Sequence, residues 1–94
     1  MRVIWVERAL DDLERIHDYI QSDNPAAAQR VIQRLRSGLE SLSRFPRMGR
    51  AGRVSDTREF VFTDIPYIGV YRILEDEIEV LNIIHTARDY PPKA

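Results

Sequence analysis

At 94 residues, with 44% hydrophobic and 31% charged side chains, the chain has room for one domain around a modest core and not for a catalytic domain joined to a regulatory one. It has no cysteine, which excludes disulfides, thiol nucleophiles and thiolate metal sites and fits a reducing cytoplasm. The net charge of −1 hides a division: residues 26–53 carry seven Arg against one acid, and the segments on either side are acidic.

Val3, Ile4, Trp5 and Val6 form a short β-prone run that reads as a strand buried on both faces. Four apolar residues are too few for a signal-peptide core or a membrane span, so neither export nor insertion is expected. From Ala9 the apolar series Leu13, Ile16, Ile20 predicts an amphipathic helix, with Asp11, Asp12, Glu14, Arg15 and Asp18 between its members. Ser22-Asp23-Asn24-Pro25 ends it, Asn24 being placed to cap a second helix and Pro25 to open it. That second helix aligns Ala28, Val31, Ile32, Leu35, Leu39 and Leu42 on one face and stops before Pro46. Gly38 inside it costs roughly 1 kcal/mol against Ala, which predicts close approach of another element. Residues 46–56 then read as a mobile basic loop containing two glycines.

Three β-prone segments follow, Thr57 to Phe62, Tyr67 to Leu74 and Ile78 to His85. Their short connections require antiparallel pairing. The order is β-α-α-β-β-β, an α+β fold in which a helical hairpin packs on a small, mainly antiparallel sheet within a single domain, residues 1–94.

Thirteen of the fourteen basic residues are Arg, whose planar fork suits bidentate pairing with carboxylate or phosphate. Arg44, Arg47, Arg50 and Arg53 form a series without an intervening acid, so an acidic peptide or a nucleic acid is the expected partner. The plainer alternative is a solvated basic surface. At the exit of the last strand stand His85, Arg88, Asp89 and Tyr90. Cleavage of RNA through its own 2′-OH needs a base, an acid and a cation on the phosphorane, which His85, Tyr90 and Arg88 could supply. The competing reading is a hydrogen-bonded histidine beside a surface Arg-Asp pair. No nucleotide-binding glycine loop is present, and His17 and His85 alone make no metal site, so neither a metal nor a cofactor is expected.

Ala9-Leu10-Asp11-Asp12-Leu13 with Ile16 and Tyr19-Ile20, Asn24-Pro25-Ala26-Ala27-Ala28, Phe45-Pro46, Gly49-Arg50, Thr57-Arg58-Glu59, Pro66-Tyr67, Tyr71-Arg72, Ile84-His85 and Ala87-Arg88 occur in an order that spans nearly the whole chain. In that order they resemble the RelE/ParE toxin superfamily of type II toxin–antitoxin systems. The resemblance implies the same β-α-α-β-β-β fold and a cognate antitoxin, with operator DNA bound only through that antitoxin. RelE-like members cut messenger RNA on the ribosome, whereas ParE-like members poison DNA gyrase. RelE-like sequences usually carry an arginine just after the aromatic residue opening the third strand. Here Ile68 stands there, and the loss of that cation favours the ParE-like branch.

The expected function is therefore a gyrase inhibitor acting by binding, with a ribosome-dependent ribonuclease as the alternative and a non-toxic antitoxin-binding module as a third. The target-binding candidates are Arg50, Arg53 and Arg88. Those for the antitoxin are Arg30, Arg34, Arg50 and Arg53. His85, Arg88 and Tyr90 are catalytic only if the ribonuclease holds.

Overall fold

The computed structural model describes residues 1–89, in which the chain runs β1 (Arg2–Trp5), α1 (Glu7–Gln21), α2 (Pro25–Glu40), a 3-10 turn (Ser41–Ser43), β2 (Arg50–Ala51), β3 (Arg58–Val61), β4 (Tyr67–Ile73) and β5 (Glu77–His85). Helix α1 starts two residues before its apolar series, and Glu7 lies in the first turn, where a negative charge meets the positive end of the helix dipole. Asn24 caps α2 as expected, its side chain accepting from the Ala27 N–H at 3.0 Å, and Pro25 follows at the first helical position.

The expected stop before Pro46 comes earlier. Helix α2 ends at Glu40, where the Ser41 hydroxyl donates to the Gly38 carbonyl, a bond that competes with the helical ladder. The tighter 3-10 turn then carries Leu42 into the core. Close approach at Gly38 is borne out, since any Cβ there would collide with the Phe62 ring.

The five strands lie in the order β1-β5-β4-β3-β2. Strand β1 runs parallel to β5, with Arg2 opposite Glu77 and Trp5 opposite Val80, and the remaining pairs are antiparallel. β1 is thus an edge strand and not the doubly buried one expected. Its run is apolar at every position, yet Val3, Trp5 and Val6 pack against the core cluster while Ile4 does not, and all four remain half-buried.

Both helices cover one face of the sheet. Leu39 lies against Gly69 of β4, which marks the helix-facing side, and Leu35, Leu39, Leu42, Tyr71, Ile78 and Val80 are fully buried. On the opposite face, Val61, Ile68 and Ile84 sit side by side across β3, β4 and β5. Such cross-strand apolar neighbours stabilise a sheet by roughly 0.2–1 kcal/mol per pair.

β1 covers β5 only as far as Val80, whose carbonyl accepts from the Val6 N–H at 3.1 Å. The rest of that edge is capped by side chains. Asp12 of α1 is buried, accepts from the Ile83 N–H at 2.9 Å and pairs with Arg15. The His85 N–H donates to the Asp89 carboxylate at 3.1 Å. Asp12 reads in the sequence as one more polar residue of an exposed helix face, yet it ties α1 to the sheet. Replacing Asp12 by Ala should cost about 1–3 kcal/mol by leaving a buried N–H unpaired. Asp12→Asn, which keeps an acceptor, should recover most of that in urea unfolding.

Candidate functional site

Basic residues expected to act meet at two places. The first is the segment 44–54, which overlaps the loop 46–56 predicted to be mobile but is in fact held by side chains from β3 and β4. The Tyr71 hydroxyl donates to the Pro46 carbonyl at 2.7 Å and accepts from the Gly49 N–H at 2.9 Å. Arg58 Nη2 donates to the Arg47 carbonyl at 3.0 Å and also to that of Gly49. Arg50 directs Nε and Nη2 at one oxygen of buried Glu59, at 3.0 and 2.9 Å, and the other oxygen accepts from the Arg53 N–H at 3.4 Å. Gly49 is there for space and not for flexibility, because a Cβ would lie 2.7 Å from both the Tyr71 hydroxyl and the Glu59 carbonyl oxygen.

The second place is the exit of β5. His85 Nδ1 accepts from the backbone N–H groups of Ala87 and Arg88, at 3.1 and 3.2 Å. Both partners are obligate donors, so the neutral ring carries its hydrogen on Nε2. Burial pushes the His85 pKa below the usual histidine value and the Arg88 charge adds to that, while Asp89 partly opposes it. The ring packs edge-on to Tyr67 with centroids 5.1 Å apart. Burial raises the Tyr67 pKa, with Arg88 opposing, so its hydroxyl stays protonated at neutral pH. Arg88 stacks over the Tyr19 ring at 4.5 Å. Together with Arg8 and Arg15 of α1 these residues line a groove of about 780 Å³.

The groove presents donors, and suits an anion better than it suits proton abstraction. His85 cannot take a proton at Nδ1 without giving up two backbone hydrogen bonds. Tyr90, the remaining member of the expected cluster, lies outside the described residues. Asp89 turns back to the His85 backbone and Arg88 onto Tyr19, an arrangement different from a simple Arg-Asp surface pair.

The two places stand apart along the sheet. Arg50 belongs to β2 and Arg88 follows β5, three strands apart in the sheet order, which is roughly 14 Å at the usual strand spacing. Arg30 is exposed on α2, whereas Arg34 pairs with Asp64 at 2.7 Å and lies over the Phe62 ring. That hydrogen bond holds the Asp64 carboxyl below the usual carboxylate range. Among the described residues no cluster of His, Asp or Glu could hold a metal ion. Arg58, Glu59, Tyr71, Tyr67 and Tyr19 are among the site residues that sequence reasoning missed. Only Glu59 left a signal, as a lone acid inside a β-prone segment.

His85 should stay neutral to below its ordinary pKa of about 6.5, with Nδ1 unprotonated in ¹⁵N-resolved NMR spectra. Its folded pKa is depressed, so the stability it contributes is present above the unfolded value and is lost as pH falls through the folded one. His85→Gln should flatten that acid limb in unfolding measurements. Arg50→Ala should destabilise the domain by less than the roughly 3–5 kcal/mol of a fully buried pair, because the Arg50 side chain is half exposed. Adding Glu59→Gln should restore part of the loss. Loss of function in Arg50→Ala alone therefore reports on folding before it reports on a binding partner.

Comparison with known proteins places this geometry. Residues 3–90 match the family model described as the ParE toxin of the type II toxin–antitoxin system parDE. The chain is 43% identical over 90 residues to Y4kP of Sinorhizobium fredii, covering 96% of this chain and 93% of that protein. It is 38% identical over 87 residues to the toxin RelE2 of Caulobacter vibrioides, covering 93% and 97% respectively. The fold is that of a chain in the chromosomal ParDE TA system from P. aeruginosa, with a TM-score of 0.80 at 24% identity over 88% of this chain and 92% of that one. Among the described residues no helix is long and apolar enough to cross a membrane. The five-stranded sheet, the helical hairpin and the match over nearly the full length agree: the chain belongs to the ParE toxin family of type II toxin–antitoxin systems, within the RelE/ParE superfamily.

Proposed function

We propose that this toxin acts in the cytoplasm by binding DNA gyrase and inhibiting it, without chemistry of its own, and that a cognate antitoxin neutralises it. The observation that carries the reading is His85, whose Nδ1 is occupied by two backbone donors and whose pKa is depressed. A ribonuclease of the alternative kind needs a base near the 2′-OH and a cation on the phosphorane. Ile68, standing where the RelE-like branch usually has an arginine, is buried between Val61 and Ile84. Arg50 is tied to Glu59. Inhibition by binding needs only shape and fixed charge, and both are present.

An antitoxin partner is in keeping with the ParDE system that the fold matches. Its acidic segment would meet Arg30 and Arg34 on α2 and Arg50 and Arg53 of the basic segment, with salt-dependent affinity. Operator DNA would be contacted by the antitoxin.

Purified toxin should inhibit supercoiling by gyrase, or trap cleaved DNA–gyrase complexes, and expressing cells should filament with an induced DNA-damage response. Programmed ribosomes given the same toxin should yield no codon-positioned cleavage. Clean cuts abolished by Arg88→Ala, with supercoiling untouched, would establish the ribonuclease instead.

A further inference from the structure

We infer that residues 44–54 form a preorganised docking lobe for an acidic protein surface on the toxin's target. The inference rests on the gyrase reading and names which part of the chain makes the contact.

Rigidity comes first. The Tyr71 hydroxyl, the Arg58 guanidinium and the Glu59 carboxylate spend their hydrogen bonds on the backbone of residues 46–49, on Arg50 and on the Arg53 N–H. Side chains of β3 and β4, with Tyr71 and Glu59 buried, thus fix the course of a segment that contributes no residue to the buried core cluster. A loop held this way loses little conformational freedom on binding.

What the lobe displays comes second. Phe45 is 55% exposed, Met48 51% and Val54 68%, which makes three of the seven large exposed hydrophobics among the described residues fall within one short segment. Arg44 stacks on Phe45 at 5.8 Å, and Arg47 is exposed. The segment carries four Arg and no acid in a chain whose net charge is −1, so the rest of the molecule is acidic.

The combination selects a protein over a nucleic acid. The phosphates of a duplex would engage the cations alone, whereas three exposed apolar side chains release water best against another apolar surface. Phe, Met and Arg are the residue types enriched in protein–protein interface cores. The fitting occupant is an apolar depression rimmed by Asp and Glu. Arg88 plays no part in it, following β5, three strands from β2 in the sheet order.

The experiment measures binding of the DNA gyrase heterotetramer to wild-type toxin, to Phe45→Ala/Met48→Ala and to Arg47→Glu. The same three proteins are titrated with the cognate antitoxin and with a DNA duplex alone. None of these side chains supplies a hydrogen bond to the fold, and Arg47→Glu alters only an exposed head group. Gyrase affinity should fall at least about tenfold in each variant, with a matching rise in the toxin concentration needed to inhibit supercoiling, whether or not antitoxin affinity also falls. Unchanged gyrase affinity in both variants overturns the lobe as the target contact. If only antitoxin affinity falls, the lobe is the antitoxin's site, and if only duplex affinity falls it is a nucleic-acid site. Wild-type toxin that binds no gyrase overturns the gyrase reading itself and this inference with it, a result distinct from the variant outcomes.

Discussion

Tyr71 serves the domain with both of its ends. Its ring is fully buried among the core residues contributed by both helices and β5, and its hydroxyl emerges on the far side to hold Pro46 and Gly49. A phenylalanine would fill the same core and leave a carbonyl and an N–H of the 44–54 segment without their partner. The hydrophobic interior and the charged exterior are thereby coupled through one side chain. Arg58 and Glu59, which follow β2 in sequence, reinforce the same segment from β3. The apolar burial that drives the fold therefore also fixes where the arginines stand.

The sheet's other vulnerable border is managed with acids. A strand edge with unpaired N–H groups invites another strand, and natural proteins cover or blunt such edges. Here β1 is too short to cover β5, and Asp12 and Asp89 take the Ile83 and His85 N–H groups. The carboxylates occupy hydrogen-bonding positions that an added strand would need. The groove between α1 and β5 consequently offers side chains rather than backbone to a ligand, which fits its donor-rich lining of Arg8, Arg15, Tyr67 and Arg88.

Much of this fold is legible in the sequence because its elements obey simple periods. Asn24-Pro25 marks the turn between helices, the three-and-four spacing of Leu35, Leu39 and Leu42 marks a buried face, and Gly38 marks the Phe62 contact. Less was legible where one residue's role depends on a distant partner. Trp5 and Val6 look equally apolar, but only register with β5 makes β1 an edge strand. Asp12 and Glu59 look like surface acids until residues 71 and 9 positions away supply an N–H and a guanidinium. The arginines of 44–54 were visible as charge and invisible as a rigid display, because their anchors are uncharged or lie in later strands. His85 was identified as a candidate, but its tautomer follows from the turn after it, which no spacing rule encodes.

The pairing of β1 with β5 joins residues 75 positions apart, Arg2 with Glu77, and this has a temporal side. During synthesis the helical hairpin can form early from local contacts, but the central strands it must cover emerge last, and long-range pairing is slow to establish. A nascent chain interrupted before β5 has an N-terminal strand with nothing to pair with and an α1 whose Asp12 lacks its N–H. Premature termination therefore leaves the sheet without the strand that joins β1 to β4, so the fold becomes attainable only when nearly the whole message has been read.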